Sequence, residues 1–313
     1  MSALFEQIRS AFFEGRDMKF RYITVMLAST LVMASSVVAE DGSFDSNGVK
    51  IYYVTEGNGE PVVLIHGFMA DHDMWGKGRF FLNSVGDTKV MATLAKDFRV
   101  IALDCRGHGK SGKPSKTERY GPAMAEDVVR LLDHLNIPKA HLVGYSMGSV
   151  IAGRVAAMHP ERVLSVTFGG GAAIIPIEAK AQEAFAKGIE DGTALIPLVI
   201  GLSPADQPKP TRQEAEAIVN KLLSAEARSG LAAALRSFEN IIVTPEELKK
   251  CKAPVLYVHG ANEYPHIKAR VPVELKLLGR GELKVVDGGD HLSTPGQPEF
   301  LAAVLEFLRA NKQ

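Results

Sequence analysis

Three side chains in this chain have the types and the order needed for nucleophilic acyl transfer. Residues 144–148 read Gly-Tyr-Ser-Met-Gly, a G-x-S-x-G pattern centred on Ser146. A serine hydroxyl attacks a carbonyl carbon only when a base removes its proton. His291 is the candidate base, carried by Asp287-Gly288-Gly289-Asp290-His291-Leu292, a glycine-rich loop able to bring an imidazole over Ser146. The base in turn needs a carboxylate to orient it. Glu263, three residues past Gly260, is the candidate, with Asp290 as the alternative. The stretch 168–171, Phe-Gly-Gly-Gly, offers no acid after the preceding strand. Charge developing on the carbonyl oxygen requires donors as well. The backbone N–H groups of Phe68, after His66-Gly67, and of Met147 are expected to supply them. His66 itself is expected to hold the loop.

These residues need a scaffold that delivers them to one edge. Residues 49–55 (VKIYYVT) alternate as a β-strand, 57–60 carry turn chemistry, and 61–65 (PVVLI) form a short buried run. The two runs are expected to form a hairpin. Further strands are expected at 99–103, 140–143, 163–168, 253–258 and 283–286, and helices at 121–135, 147–158 and 298–310. Continuous apolar strands separated by amphipathic helices imply a parallel sheet covered on both faces. Ser146 then falls between a strand and a helix, on a tight turn at the carboxyl edge where open α/β sheets bind ligands. The helix starting at Met147 adds an unpaired N–H and a partial positive charge there.

Residues 174–250 break the alternation. EAKAQEAFAKGIEDG, LIPLVIGL, TRQEAEAIVNKLLSAEARSG and LAAALRSFENII read as four helices separated by Gly and Pro. A parallel crossover needs only a dozen or so residues, so this stretch is an insertion. It is expected to cover Ser146, with 195–202 facing the acyl or leaving group through Leu198 and Ile200. An oligomer interface is the alternative. At the other end, residues 23–39 are uncharged and mostly apolar, follow Arg16, Lys19 and Arg21, and close on Val37-Val38-Ala39. A basic start, an apolar middle and small residues at the end describe a signal peptide, so export is expected, to the periplasm or beyond.

The 313 residues carry 36 Lys+Arg against 36 Asp+Glu, so nothing suggests a nucleic-acid partner or a stable membrane partner. Cys105 and Cys251 form neither a metal-site spacing nor a disulfide framework, and Cys105 is expected to be a small buried residue.

With these motifs in order, the chain resembles the α/β-hydrolase superfamily, in its cap-bearing branch. The resemblance rests on His66-Gly67-Phe68, Asp104-Cys105-Arg106-Gly107-His108-Gly109-Lys110-Ser111, Gly144-Tyr145-Ser146-Met147-Gly148, Gly260 with Glu263, and Gly289-Asp290-His291. It covers roughly residues 45–308. It implies a mostly parallel, twisted sheet flanked by helices, with a core of 40–173 and 251–313 and a helical cap of 174–250 inserted before the last two strands. It also implies that the D-x-R-G-x-G-x-S loop is structural, so Asp104 and His108 have no catalytic role. Ser146 argues against the epoxide hydrolases and haloalkane dehalogenases, which use Asp as nucleophile.

Two features depart from the pattern. Glu263 replaces the usual Asp, and 76–95 is longer than the first helix needs. Trp75, next to that stretch, is expected either to line the pocket or to pack in the core. The expected activity is a serine hydrolase acting through an acyl-enzyme, a carboxylesterase on a small or medium ester, with no metal and no organic cofactor. The alternatives are C–C bond hydrolysis or perhydrolase chemistry on the same triad, or a protein that binds a ligand without turnover.

Overall fold

The computed structural model describes residues 40–80, 83–84, 89–174, 178–201 and 209–313. The expected signal segment lies outside them, and so does the side chain of Leu198. Eight strands make one sheet: β1 (Glu40–Asp45), β2 (Lys50–Glu56), β3 (Pro61–Ile65), β6 (Arg99–Leu103), β7 (Ala140–Tyr145), β8 (Val163–Gly169), β9 (Val255–Gly260) and β10 (Glu282–Val286). Two short strands, β4 (Arg79–Phe80) and β5 (Asn83–Ser84), pair antiparallel in a second sheet. The large sheet runs in the order β1-β2-β6-β3-β7-β8-β9-β10. β1, β2 and β6 pair antiparallel, and every pairing from β6 through β3 to β10 is parallel.

The expected hairpin of 49–55 with 61–65 does not form. β2 pairs with β1 on one side and β6 on the other, and β6 separates it from β3. The reason is burial. Val62, Val63, Leu64 and Ile65 are all fully buried, and a central strand needs a partner on each side, which β6 and β7 provide. The turn between β2 and β3 passes tightly over the start of β6. A Cβ on Gly57, whose φ is +83°, would lie 2.3 Å from the carbonyl oxygen of Phe98.

Helices cover both faces, as parallel sheets require. On one face α3 (Pro122–His134) and α4 (Met147–Met158) bury Met124, Val128, Leu132, Val150, Ile151 and Val155 against the strands. On the other, α1 (Asp73–Gly76), α2 (Val90–Leu94) and the last helix, α11 (Pro298–Ala310), bury Met74, Trp75, Leu94, Phe300 and Val304. Each such apolar side chain contributes about 1.5–3 kcal/mol when fully buried.

Between β8 and β9 the chain forms α5 (Ala179–Glu190), α6 (Leu195–Gly201), α7 (Arg212–Leu222), α8 (Ala225–Arg236) and α9 (Pro245–Leu248). The break between the third and fourth helices is at Leu223-Ser224, not at Gly230 as the glycine suggested. Ser224 starts α8 by accepting the Ala227 N–H at its hydroxyl. Gly230 sits inside α8 because the helix docks closely there: a Cβ would lie 3.0 Å from the Cβ of Lys113. α6 buries Leu195, Ile196 and Val199 with Ala186, Ile189, Val219 and Leu231 in the insertion's own core, where Ile200 also packs half-buried, and Phe68 and Met69 rest against the same cluster. A seven-residue helix this apolar serves here to hold its neighbours together. Of the helices that the sequence patterns do not announce, α10 (Pro265–Leu278), between β9 and β10, is the longest; it begins at a proline, contains Pro272 and ends at left-handed Gly279.

Candidate active site

Four parallel strands deliver the candidate residues from their carboxyl ends: β3 leads to Phe68, β7 to Ser146, β9 to Glu263 and β10 to His291. Ser146 occupies a left-handed backbone conformation, with φ 53° and ψ −112°, a strained position that costs a non-glycine residue about 1–3 kcal/mol. The surroundings enforce it. A Cβ on Gly148 would lie 2.0 Å from the Ile65 carbonyl oxygen, and one on Gly144 would lie 2.1 Å from the Gly148 carbonyl oxygen. The turn fits only because both flanking residues lack side chains. The Ser146 N–H donates to the Gly169 carbonyl at 2.8 Å, and the Ser149 hydroxyl lies within hydrogen-bond reach of the Gly144 and Gly169 carbonyls.

The hydroxyl that this turn presents lies 3.0 Å from His291 Nε2. His291 Nδ1 lies 2.9 Å from Glu263 Oε1. A carboxylate only accepts, so Nδ1 carries the proton and Nε2 is left with a lone pair facing the serine. The His291 loop is held independently of this pairing. Tyr145 Oη donates to the His291 carbonyl at 2.8 Å. The Asp290 carboxylate accepts the N–H groups of Leu292 and Ser293, and the Ser293 hydroxyl, within its own turn. The Ser293 N–H holds the Asp290 carboxyl below its usual range. Asp290, the alternative acid, is therefore committed to the loop, and the carboxylate on His291 is that of Glu263.

Glu263 reaches its place through a turn. Its N–H donates to the Gly260 carbonyl, and Asn262 N–H donates to Gly289. Gly260 allows the two loops to meet, since a Cβ there would lie 2.1 Å from the Gly289 carbonyl oxygen. Oε1 accepts a second bond, from the Tyr264 N–H at 2.8 Å, while Oε2 is buried without a hydrogen-bond partner. Tyr264 was not anticipated, although it directly follows the candidate acid. Its ring, half exposed, lies 4.9 Å from that of His291, and the His266 ring stacks on it at 5.7 Å.

Phe68 follows the end of β3, whose Ile65 carbonyl lies against Gly148 of the serine turn. Met147 is the first residue of α4, so its N–H has no acceptor within the helix. The Phe68 ring packs edge-on against His108 at 5.5 Å and Phe238 at 5.8 Å. His66 Nδ1 is 2.8 Å from the Gly67 carbonyl, and its Nε2 accepts the Cys105 N–H at 3.0 Å. Burial lowers its pKa. A neutral imidazole thus ties the β3 loop to the β6 loop.

Trp75 is fully buried in the core layer of α1, α2 and α11. That corrects its placement in a pocket wall: the indole fills space beneath the sheet. Asp71, His72 and Asp104 are close enough to converge on a cation. Their geometry is instead that of a loop tie. Asp104 Oδ1 accepts the His72 backbone N–H and lies 2.7 Å from His72 Nδ1, and Oδ2 accepts the Lys110 N–H.

A family model described as alpha/beta hydrolase fold matches residues 60–188. The chain is 30% identical over 241 residues to a 3-oxoadipate enol-lactonase 2 of Acinetobacter baylyi, covering 72% of this chain and 86% of that one. It is 41% identical over 109 residues to the dihydrolipoyllysine-residue acetyltransferase component of an acetoin cleaving system of Pseudomonas putida. That match covers 35% of this chain but spans only about a quarter (26%) of the relative. The solved structure of a bacterial membrane phospholipase A superposes with a TM-score of 0.65 at 26% identity, covering 88% of this chain and 87% of that one.

Proposed function

Because this chain belongs to the α/β-hydrolase superfamily and carries a hydrogen-bonded Ser146–His291–Glu263 line, we propose that it is a serine hydrolase cleaving carboxylic esters through an acyl-enzyme. The observation that carries the reading is that line, at 3.0 and 2.9 Å.

Ser146 Oγ attacks the ester carbonyl carbon as its proton passes to His291 Nε2. The resulting imidazolium is stabilised by the Glu263 carboxylate through Nδ1–H. The carbonyl oxygen, now an oxyanion, is held by the N–H groups of Phe68 and Met147. Collapse breaks the bond to the alcohol oxygen, which leaves with the proton from Nε2. Water then repeats the sequence: Nε2 takes its proton, the oxygen adds to the acyl carbon, and Ser146 leaves with the proton back on Oγ. The proposed steps call on neither a metal nor an organic cofactor. Ser146 cannot serve as the carboxylate nucleophile of an epoxide hydrolase.

The enol-lactonase, similar over 86% of its length, favours a second reading within the same chemistry, a cyclic ester. The basic, apolar and small-residue run before Glu40 supports export as part of the proposal. The test is rapid mixing with 4-nitrophenyl butyrate. A burst of nitrophenol stoichiometric with enzyme, and a butyryl mass adduct absent from Ser146→Ala, are expected. A Ser146→Ala protein retaining more than about a hundredth of the turnover would overturn the assignment.

A further inference from the structure

A cavity lies where the insertion meets the body of the fold, and the catalytic side chains are not in its walls. It encloses about 480 Å³, within the roughly 300–1,000 Å³ of small-molecule sites. One wall is Met69 with the loop Gly107-His108-Gly109; the other is the end of α7 and the start of α8. Met69 directly follows Phe68, the proposed oxyanion donor, so one wall of the cavity adjoins that residue along the chain. Met69 has a φ of 64°, the mark of a backbone held in an unfavourable conformation by its surroundings.

The lining divides by chemistry. Met69, Leu222 and Leu231 supply apolar surface, and Leu222 is half exposed. Lys113 and Lys221 face Asp71 alone among acidic wall residues. Glu226 is the other acid acting on Lys113 besides Asp104, and Asp104 is already engaged by His72 and Lys110. Lys113 is half-buried, and its ammonium donates to the Gly109 and Ser111 carbonyls at 2.6 and 2.9 Å, leaving one N–H of its three. His108 adds no charge. Burial takes its pKa down to about 3, its Nδ1–H donates to the Arg106 carbonyl, and Nε2 is a buried acceptor without a hydrogen-bond partner. The charge of the cavity wall on the basic side is therefore that of the two lysines.

We propose that this cavity receives the far end of the substrate's acyl chain, and that the end it selects is a carboxylate paired with Lys113 and Lys221. The inference rests on the ester-hydrolase reading and narrows it to hemi-esters of dicarboxylic acids or lactones bearing an acid. The apolar walls accept the methylenes, and the two ammonium groups accept the charge. The acyl half is the one concerned because the oxyanion held at Phe68 is an acyl atom.

The experiment compares two substrates with the same leaving group and the same chain length, 4-nitrophenyl hexanoate and the mono-4-nitrophenyl ester of adipic acid. The ratio of their kcat/KM values is read within each variant, so any general loss of activity cancels. The wild-type ratio should favour the acid by about tenfold, the scale of one charge-assisted hydrogen bond at a half-buried site. It should fall in K221M, reach about one in the K113M/K221M pair, and be retained in Lys113→Arg with Lys221 in place. Adipate titrated calorimetrically into the protein reads the cavity without turnover. Binding that weakens about tenfold in K221M supports the proposal even if neither ester is hydrolysed, an outcome that would sink the esterase reading alone. A wild-type ratio of one, a ratio unchanged in the double variant, or adipate binding indifferent to both lysines would each overturn the carboxylate assignment.

Discussion

Glu263→Gln separates charge from geometry at the site better than any other single change. Glu263 Oε1 accepts two donors, His291 Nδ1–H and the Tyr264 backbone N–H. The Tyr264 donor cannot rotate away, so the glutamine oxygen must take the Oε1 position. Its NH2 then falls where Oε2 is buried without a partner. The imidazole keeps its tautomer, and what is lost is the negative charge. Opposite unit charges 2.9 Å apart attract by roughly 6 kcal/mol at an effective dielectric of about 20. This is a ceiling, approached because the His291 side chain is only 13% exposed and that of Glu263 is fully buried. At about 1.4 kcal/mol per decade, kcat should fall by up to about four decades. The unpaired amide N–H group should also lower stability by about 1–3 kcal/mol. Initial rates on 4-nitrophenyl butyrate, with urea unfolding of the same preparations, measure both. A Glu263→Gln enzyme within about tenfold of wild-type kcat would refute the assignment of the carboxylate as the imidazolium's partner.

Four further outcomes follow from the packing. Gly148→Ala should cost about 3 kcal/mol or more and largely abolish soluble protein, since its Cβ would meet the Ile65 carbonyl oxygen at 2.0 Å; a normal melting temperature would contradict that contact. Tyr264→Ala should lower kcat by about two- to tenfold through loss of the ring beside His291, with Tyr264→Phe near wild type; equal kcat for Ala and Phe would remove the positioning role. His108, neutral with a pKa of about 3 when folded, binds fewer protons than the unfolded chain below pH 6.5. Its contribution to stability is therefore complete above that pH and is lost as pH falls towards 3. The stability gap between wild type and His108→Asn should shrink by about 2 kcal/mol from pH 7 to pH 5, and a gap constant with pH would refute burial as the cause. Glu274→Leu should destabilise by about 3 kcal/mol or more, because it strips the buried Ala173 and Ile174 N–H groups and the Tyr257 hydroxyl of their shared acceptor; an unchanged urea midpoint would show these bonds to be dispensable.

The sequence discloses most where the signal is local. G-x-S-x-G after an apolar strand locates the serine turn because the two glycines are steric requirements of that turn, and α4 and α11 have the bounds that their periodicity suggests. The identity of the sheet neighbours is not local. β6 enters between β2 and β3 from more than thirty residues downstream, and no turn residue at 57–60 encodes that choice. β1, EDGSFD, is polar because it is an edge strand with little to bury, so alternation cannot reveal it. α10 was hidden by Pro265 and Pro272, which read as breaks although the first occupies the N-terminal turn where proline is tolerated. Gly230 misleads in the opposite sense: it marks a close approach between helix and loop, not the end of a helix. The pairing of Glu263 with His291 could be inferred only as an order along the chain. Two backbone bonds between the β9 and β10 loops, from Ala261 to Val286 and from Asn262 to Gly289, bring it about.

The insertion and the body meet at Phe68, the proposed oxyanion donor, and at Met69 beside it. Phe68 and Met69 pack against the insertion's apolar cluster as well as the body's loops, and Phe238, at the end of α8, rests edge-on against Phe68. Gly230 on α8 lies against the loop that carries His108 and Lys113, and the Ser237 hydroxyl accepts the Gly121 N–H at the start of α3. The other end of the insertion is fastened by α10, where Glu274 accepts the Ala173 and Ile174 N–H groups and Arg270 donates to the Ile174 carbonyl. That fastening leaves from β8, whose last residue, Gly169, also accepts the Ser146 N–H. A displacement of these helices would therefore be felt first at the Phe68 N–H and at the wall of the lysine-lined cavity. The Ser146–His291–Glu263 line, built wholly on strand ends and their loops, would keep its geometry. Under the proposed mechanism, the insertion would set which acyl group is held and how well its oxyanion is met, while the sheet fixes the nucleophile and its base.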